Sequence, residues 1–255
     1  MTFPTSGAHA DDTITPAPRP TSPSQLQRGL LWLAVVGTAL AVAVLSRYAY
    51  NRDTTIAGAG AVVVMLAVTG TMAWLQRRAT TTMSAHRSLG LRSGVAAGAL
   101  WVVEIGINNI AAPPNPPRDR IDNAFWAAVA IVILGASIRR AYTSRRIGDG
   151  IRTGAWSGFV SGLMACCTGL TIIAFGMPLL LHDPLNIAEW AARGATSGAP
   201  TMAAYYAFES LAGAMGHLTV LGVVMGAMLG VIGGVLAKAA RLFNRPKSVV
   251  HTPSA

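Results

Sequence analysis

Five residues could do chemistry within otherwise apolar stretches of this chain: Glu104, Asn108, Asn109, Glu209 and His217. Glu104 and Asn108 are four apart, so on a helix they lie one turn apart on one face, with Asn109 beside them. A lone charge in hydrocarbon costs roughly 3 kcal/mol or more. Glu104 must therefore be neutral, paired, or in contact with water. A carboxyl group and an imidazole, both withdrawn from bulk water, can take up and release a proton. The spacing predicts a ligand or proton pocket built from Glu104, Asn108, Asn109, His217 and Glu209, open to the outer side. The alternative is local satisfaction, with Glu104 bonded to a backbone carbonyl and His217 at the membrane interface.

Other chemistries are poorly served. No His or Glu pair has the i, i+4 spacing of a helical metal motif, so no metal is expected. Cys166 and Cys167 are adjacent and would project about 100° apart on a helix. They cannot together grip one ion, and Cys166 reads as a small packing residue. No Walker loop, dinucleotide fingerprint or zinc-protease helix is present, which argues against a cofactor and against an enzyme. A Ser–His nucleophile pair fails on position. Gly154-Ala155-Trp156-Ser157-Gly158 has one residue too many for the Gly-x-Ser-Gly motif of rhomboid proteases. Ser157 and His217 also belong at opposite ends of their helices, out of hydrogen-bond reach.

The elements that must position these residues are membrane spans. The 255-residue chain is 52% hydrophobic and 12% charged, against about 25% charged in a soluble domain. Six apolar runs are expected to span, over about 29–46, 56–75, 94–112, 122–138, 153–176 and 212–238. Glu104 then lies about 15 Å along the third, near mid-bilayer. With the N-terminus inside, fifteen Lys and Arg fall in inner segments and five in outer ones. That asymmetry predicts N-in/C-in orientation and explains the net charge of +10 without nucleic acid. Trp32, Trp74 and Trp156 fall at inner helix ends, Trp126 at an outer end and Trp190 in an outer loop, and only Trp101 falls mid-span. Arginine outnumbers lysine eighteen to two, which suggests a GC-rich bacterial genome and hence the inner (cytoplasmic) membrane.

Residues 1–27 are rich in Pro, Ser and Thr and predict a disordered cytoplasmic tail; 244–255 predict a second one. Between them, 28–243 form one membrane domain. Two outer connections have character. The prolines of 112–123 predict a stiff, extended loop ending in a cap at Asp122 or Asn123. Asp183-Pro184 predicts the start of a short surface helix through Trp190 to Gly194. Met202–Phe208 is expected to extend the last span outward or to lie at the interface.

Three glycine ladders give the spans their packing faces: Gly90, Gly94 and Gly98; Gly150, Gly154, Gly158 and Gly162; Gly222, Gly226, Gly230 and Gly234. Glycines four apart permit close backbone approach, which lipid-embedded helices need. The first reading is packing within the chain; the second is that one ladder docks a membrane-protein partner or a second copy in a homo-oligomer. The first two ladders open alike, as Gly-Leu-Arg-Ser-Gly and Gly-Ile-Arg-Thr-Gly, which suggests a parallel hairpin repeat over 88–140 and 148–240.

The fold class is thus an all-α integral membrane protein, a six-transmembrane-helix bundle in the lipid bilayer. In size and span count it is similar to the substrate-binding subunits of energy-coupling-factor transporters, a likeness of architecture alone. Two functions follow: a permease-like protein or transporter subunit with a polar intramembrane pocket, or a scaffold or regulatory subunit that docks a partner through a ladder.

Overall fold

A computed structural model describes residues 23–78 and 85–244. The tails expected at 1–27 and 244–255 lie mostly outside them, but α1 already begins at Pro23. All regular secondary structure described is helical: α1 (Pro23–Tyr48), α2 (Arg52–Arg77), α3 (Ala85–Gly106), α4 (Pro117–Ser144), α5 (Ile147–Phe175), α6 (Met177–His182), α7 (Pro184–Ser197), α8 (Met202–Gly216) and α9 (Met225–Phe243). A π turn, Ile107–Ala111, continues α3, and a π segment, His217–Val224, joins α8 to α9. Six helices are long and apolar enough to cross a membrane, the last being the 42-residue rod from Met202 to Phe243. The chain is a multi-pass membrane protein.

The helices are longer than the sequence suggested, and two differences bear on the site. Proline needs no hydrogen-bond partner at the first helical position. Pro117 therefore starts α4, and the link before it shrinks to residues 112–116. Asp122, expected as a cap, is inside the helix. The third span begins at Ala85 rather than Gly94. Glu104 is thus about 28 Å along it and about 10 Å from the end of the π turn, in the last third and not at the midpoint.

Helix α5 is the hub. It touches α1, α3, α4, α8, the π segment and α9, and it is the most enclosed span. Its ladder explains why. A Cβ on Gly154 would strike the carbonyl oxygen of Gly226, and one on Gly158 that of Gly222. Gly150 likewise faces the Gly230 carbonyl, Gly162 faces His217, and Gly234 faces Ile147. On another face of α5, Trp156, Val160 and Met164 fill the space beside Gly90, Gly94 and Gly98. All three ladders thus face other parts of this chain. Lipid supplies little hydrophobic drive between helices, so such backbone contact is what dispersion forces can exploit.

The remaining spans pack around this slab. Helix α4 lies against α9, where Gly233 meets Ser137 and Ile138. Helices α1 and α2 form a hairpin whose link ends in a capping box. The Asn51 side chain accepts from the Thr54 amide and the Thr54 hydroxyl accepts from the Asn51 amide. Thr38 and Thr69 hydrogen-bond across the hairpin at 3.1 Å. Of this pair, α1 packs on α5, where the Cys167 thiol lies 3.4 Å from the Leu33 carbonyl.

The predicted surface helix exists and is longer, as α7. Gly176 ends α5, and Asp183 caps α7 by accepting from the Leu185 amide at 3.0 Å. The Tyr206 hydroxyl donates to the Asn186 carbonyl at 2.8 Å, which ties α7 to α8. Met202–Phe208 takes the first of its two expected forms, as an extension of the last span. The proposed repeat halves differ at their connections: residues 112–116 join α3 to α4, whereas α6 and α7 intervene between α5 and α8.

Candidate functional site

The site begins with Glu104, which is only 6% exposed. Its Oε1 accepts from Asn108 Nδ2 at 2.6 Å, the i, i+4 contact that the spacing allowed. The same Nδ2 donates its second hydrogen to Asp122 Oδ1, also at 2.6 Å. Each oxygen lies 2.6 Å from one nitrogen, which keeps the two carboxyl groups within about 5 Å of each other. The other amide atom, Asn108 Oδ1, is buried and has no partner among the described residues.

A second layer lies outward of this group. Arg118 donates from Nη2 to the Asn108 carbonyl and to Asp183 Oδ2, the latter at 2.7 Å. Both ends of that ion pair are largely enclosed, with side-chain exposures of 14% and 6%. The pair links the π turn, α4 and the cap of α7. The π turn sets the geometry. Its i, i+5 bond, from the Ala112 amide to the Ile107 carbonyl, shifts the register just where Asn108 and Asn109 project. Asn109 donates to the Ile105 carbonyl at 2.8 Å.

Glu104, Asn108, Asn109 and His217 line one cavity of about 210 Å³, closed on its far side by Ala165, Gly169 and Ile172 of α5. His217 opens the second π segment, so a π element stands on two sides of the cavity. Its Nδ1 lies 2.8 Å from the Gly213 carbonyl. A carbonyl only accepts, so Nδ1 carries the hydrogen, and in the neutral ring Nε2 is the acceptor. Trp101 packs edge-on against both His217 and Trp126, with centroids 4.9 Å apart in each case. These contacts account for the burial of Trp101, the one tryptophan expected within a span.

The fifth expected residue, Glu209, is exposed and is not part of the lining; Ser210 lines the cavity instead. Sequence reasoning missed Asp122, Arg118 and Asp183. Asp122 read as a helix cap, Arg118 as a topology charge and Asp183 as a helix start. Only the fold of the α3–α4 hairpin brings the first two to Asn108. Cys166 and Cys167 are buried and free, and Ser157, fully buried on α5, does not line the cavity. Among the described residues no group of three or more His, Cys, Asp or Glu is placed to hold a metal ion. Comparison with protein-family models, with curated proteins and with solved structures finds no match.

Proposed function

We propose that this chain is a permease-like membrane protein, or the membrane subunit of a transporter, and that the Glu104 pocket binds a proton or a small cationic ligand. It performs no chemistry on that ligand. One observation carries the reading: two carboxyl groups share a single amide donor, and one of them, Glu104, lines a cavity between the spans with that donor, Asn108. Two full negative charges within about 5 Å of each other repel strongly where water is scarce. One proton or one cation between them removes that cost. The buried Asn108 Oδ1, an acceptor without a partner among the described residues, also favours a guest that donates hydrogen bonds. His217, across the cavity, offers a second group able to exchange a proton.

The charge asymmetry supports N-in/C-in orientation, which puts the pocket near the outer face. The arginine-rich composition supports the inner membrane of a bacterial cell. The alternative, a scaffold that docks a partner or second copy through a glycine ladder, has less support, because all three ladders face other parts of this chain.

Proton uptake into vesicles containing the purified protein, driven by a membrane potential and followed with an internal pH dye, tests the reading. The wild-type protein is expected to carry protons, or to do so once a small organic cation is added. Glu104→Gln and Asp122→Asn should each reduce the flux roughly tenfold or more, equivalent to about 1.4 kcal/mol. If both variants insert normally and carry protons and cations as the wild type does, the reading is wrong.

A further inference from the structure

A second polar site lies at the opposite end of the bundle. Helix α4 ends at Ser144, and Arg145 follows in the left-handed conformation at φ 60°, which turns the chain into α5 within two residues. Helix α9 packs along α4 and brings Lys238 and Arg241 to the same level. Between them is an open cavity of about 930 Å³. Three cations line it, Arg145, Lys238 and Arg241, together with Tyr142 and Asn244.

The charges in this cavity are unbalanced. Among the described residues, no acidic one lines it. Among the described residues, the ion pairs are Arg118–Asp183, Arg140–Asp149, Arg152–Asp149 and Arg193–Glu189, so none involves the three cations. Asp149, a buried acid in the first turn of α5, is already held by Arg140 at 3.0 Å. Among the described residues Arg241 bonds only through Nε, to the Ala237 carbonyl at 3.2 Å, so neither Nη group has a partner there. The wall continues into apolar surface: Leu242 lines the cavity, and Val235, Leu236 and Phe243 of the same helix are exposed. A charged recess opening onto an apolar helix face has the form of a site for an anionic headgroup with its acyl chain alongside.

We infer that Arg145, Lys238 and Arg241 bind a phosphate group, carried by an anionic membrane lipid or by a soluble phosphoester. Guanidinium groups present paired donors that match phosphate oxygens, and the lysine adds a point charge. This site is separate from the Glu104 pocket and does not depend on how that pocket is used.

The test compares the full chain with the variant R145Q/K238Q/R241Q, both purified in mild detergent. Bound lipid is counted by intact-mass measurement during titration with phosphatidylglycerol, and thermal midpoints are followed in parallel. The wild type is expected to retain phosphatidylglycerol with an affinity higher by a factor on the order of ten or more, and to gain a higher midpoint that added salt erodes. The charge-conserving variant R145K/K238R/R241K should keep most of the effect. That separates loss of charge from loss of fold. A second arm adds glycerol phosphate at millimolar concentration without lipid. If it raises the wild-type midpoint but not that of R145Q/K238Q/R241Q, the phosphate is soluble; if only phosphatidylglycerol does so, it is a lipid headgroup. Equal retention of phosphatidylglycerol by the wild type and R145Q/K238Q/R241Q, with no response to glycerol phosphate, would overturn the inference.

Discussion

Asn108 is the residue on which the Glu104 site turns. Its side chain joins Glu104 to Asp122, and its carbonyl accepts from Arg118. Replacing it by Leu would remove the shared donor and leave two carboxyl groups facing each other with nothing between. We expect Asn108→Leu to insert poorly or to melt lower, and Asn108→Leu/Asp122→Leu to recover part of the loss; thermal midpoints of the purified variants measure it. The Arg118–Asp183 pair makes a sharper case. Removing one partner of an enclosed ion pair costs about 3–5 kcal/mol, mostly because the other charge is stranded. Arg118→Met should therefore be strongly destabilising. Asp183→Asn keeps an acceptor for the Leu185 amide, so Arg118→Met/Asp183→Asn should restore most of the stability. A double variant no better than Arg118→Met would show that the stranded charge is not the cause.

At the scale of elements, α5 meets α9 and the π segment before it backbone to backbone through the glycine ladders. Gly158 meets the backbone of Gly222 and Gly226, which no rotamer change can relieve. Gly158→Val should force the two helices apart and cost about 1–3 kcal/mol or more. Gly60, in α2, faces open space, and Gly60→Ala should be neutral or stabilising by up to about 1 kcal/mol. Denaturation in detergent, read by the loss of monodisperse protein on heating, ranks the two. Equal midpoints for both variants would show that the α5–α9 contact contributes little. The two π segments are elements of another kind. Each interrupts a span beside the cavity, where it trades regular hydrogen bonding for the placement of Asn108, Asn109 and His217.

For the molecule as a whole, orientation is the property to test, since it decides which side the Glu104 pocket opens to. The native thiols are buried, so single cysteines placed at Ser144 and at Pro200, in a chain with Cys166 and Cys167 replaced by Ala, report their own surroundings. Pro200 is exposed in the link between α7 and α8, and Ser144 is the last residue of α4. In intact cells a membrane-impermeant maleimide should label Pro200→Cys. Ser144→Cys should react only after permeabilisation. The opposite pattern would invert the molecule and place the arginine-rich end outside.

The membrane class, the six spans, and the contact of Glu104 with Asn108 were all legible in the sequence. Each depends on local quantities: hydropathy over about 20 residues and the 3.6-residue turn. The same holds for Asp183-Pro184 as a helix start. What tertiary structure alone decided was the company that residues keep across distance. Asp122 stands fourteen positions from Asn108, and Asp183 sixty-five from Arg118; no local pattern joins them. Proline composition was misleading at 112–123, because Pro117 can start a helix as readily as extend a loop. The ladders were visible as spacing, but their mutual facing depends on how three helices cross. A π register shift, finally, leaves no mark in hydropathy, and it is what turns Asn108 and Asn109 toward the cavity that His217 shares.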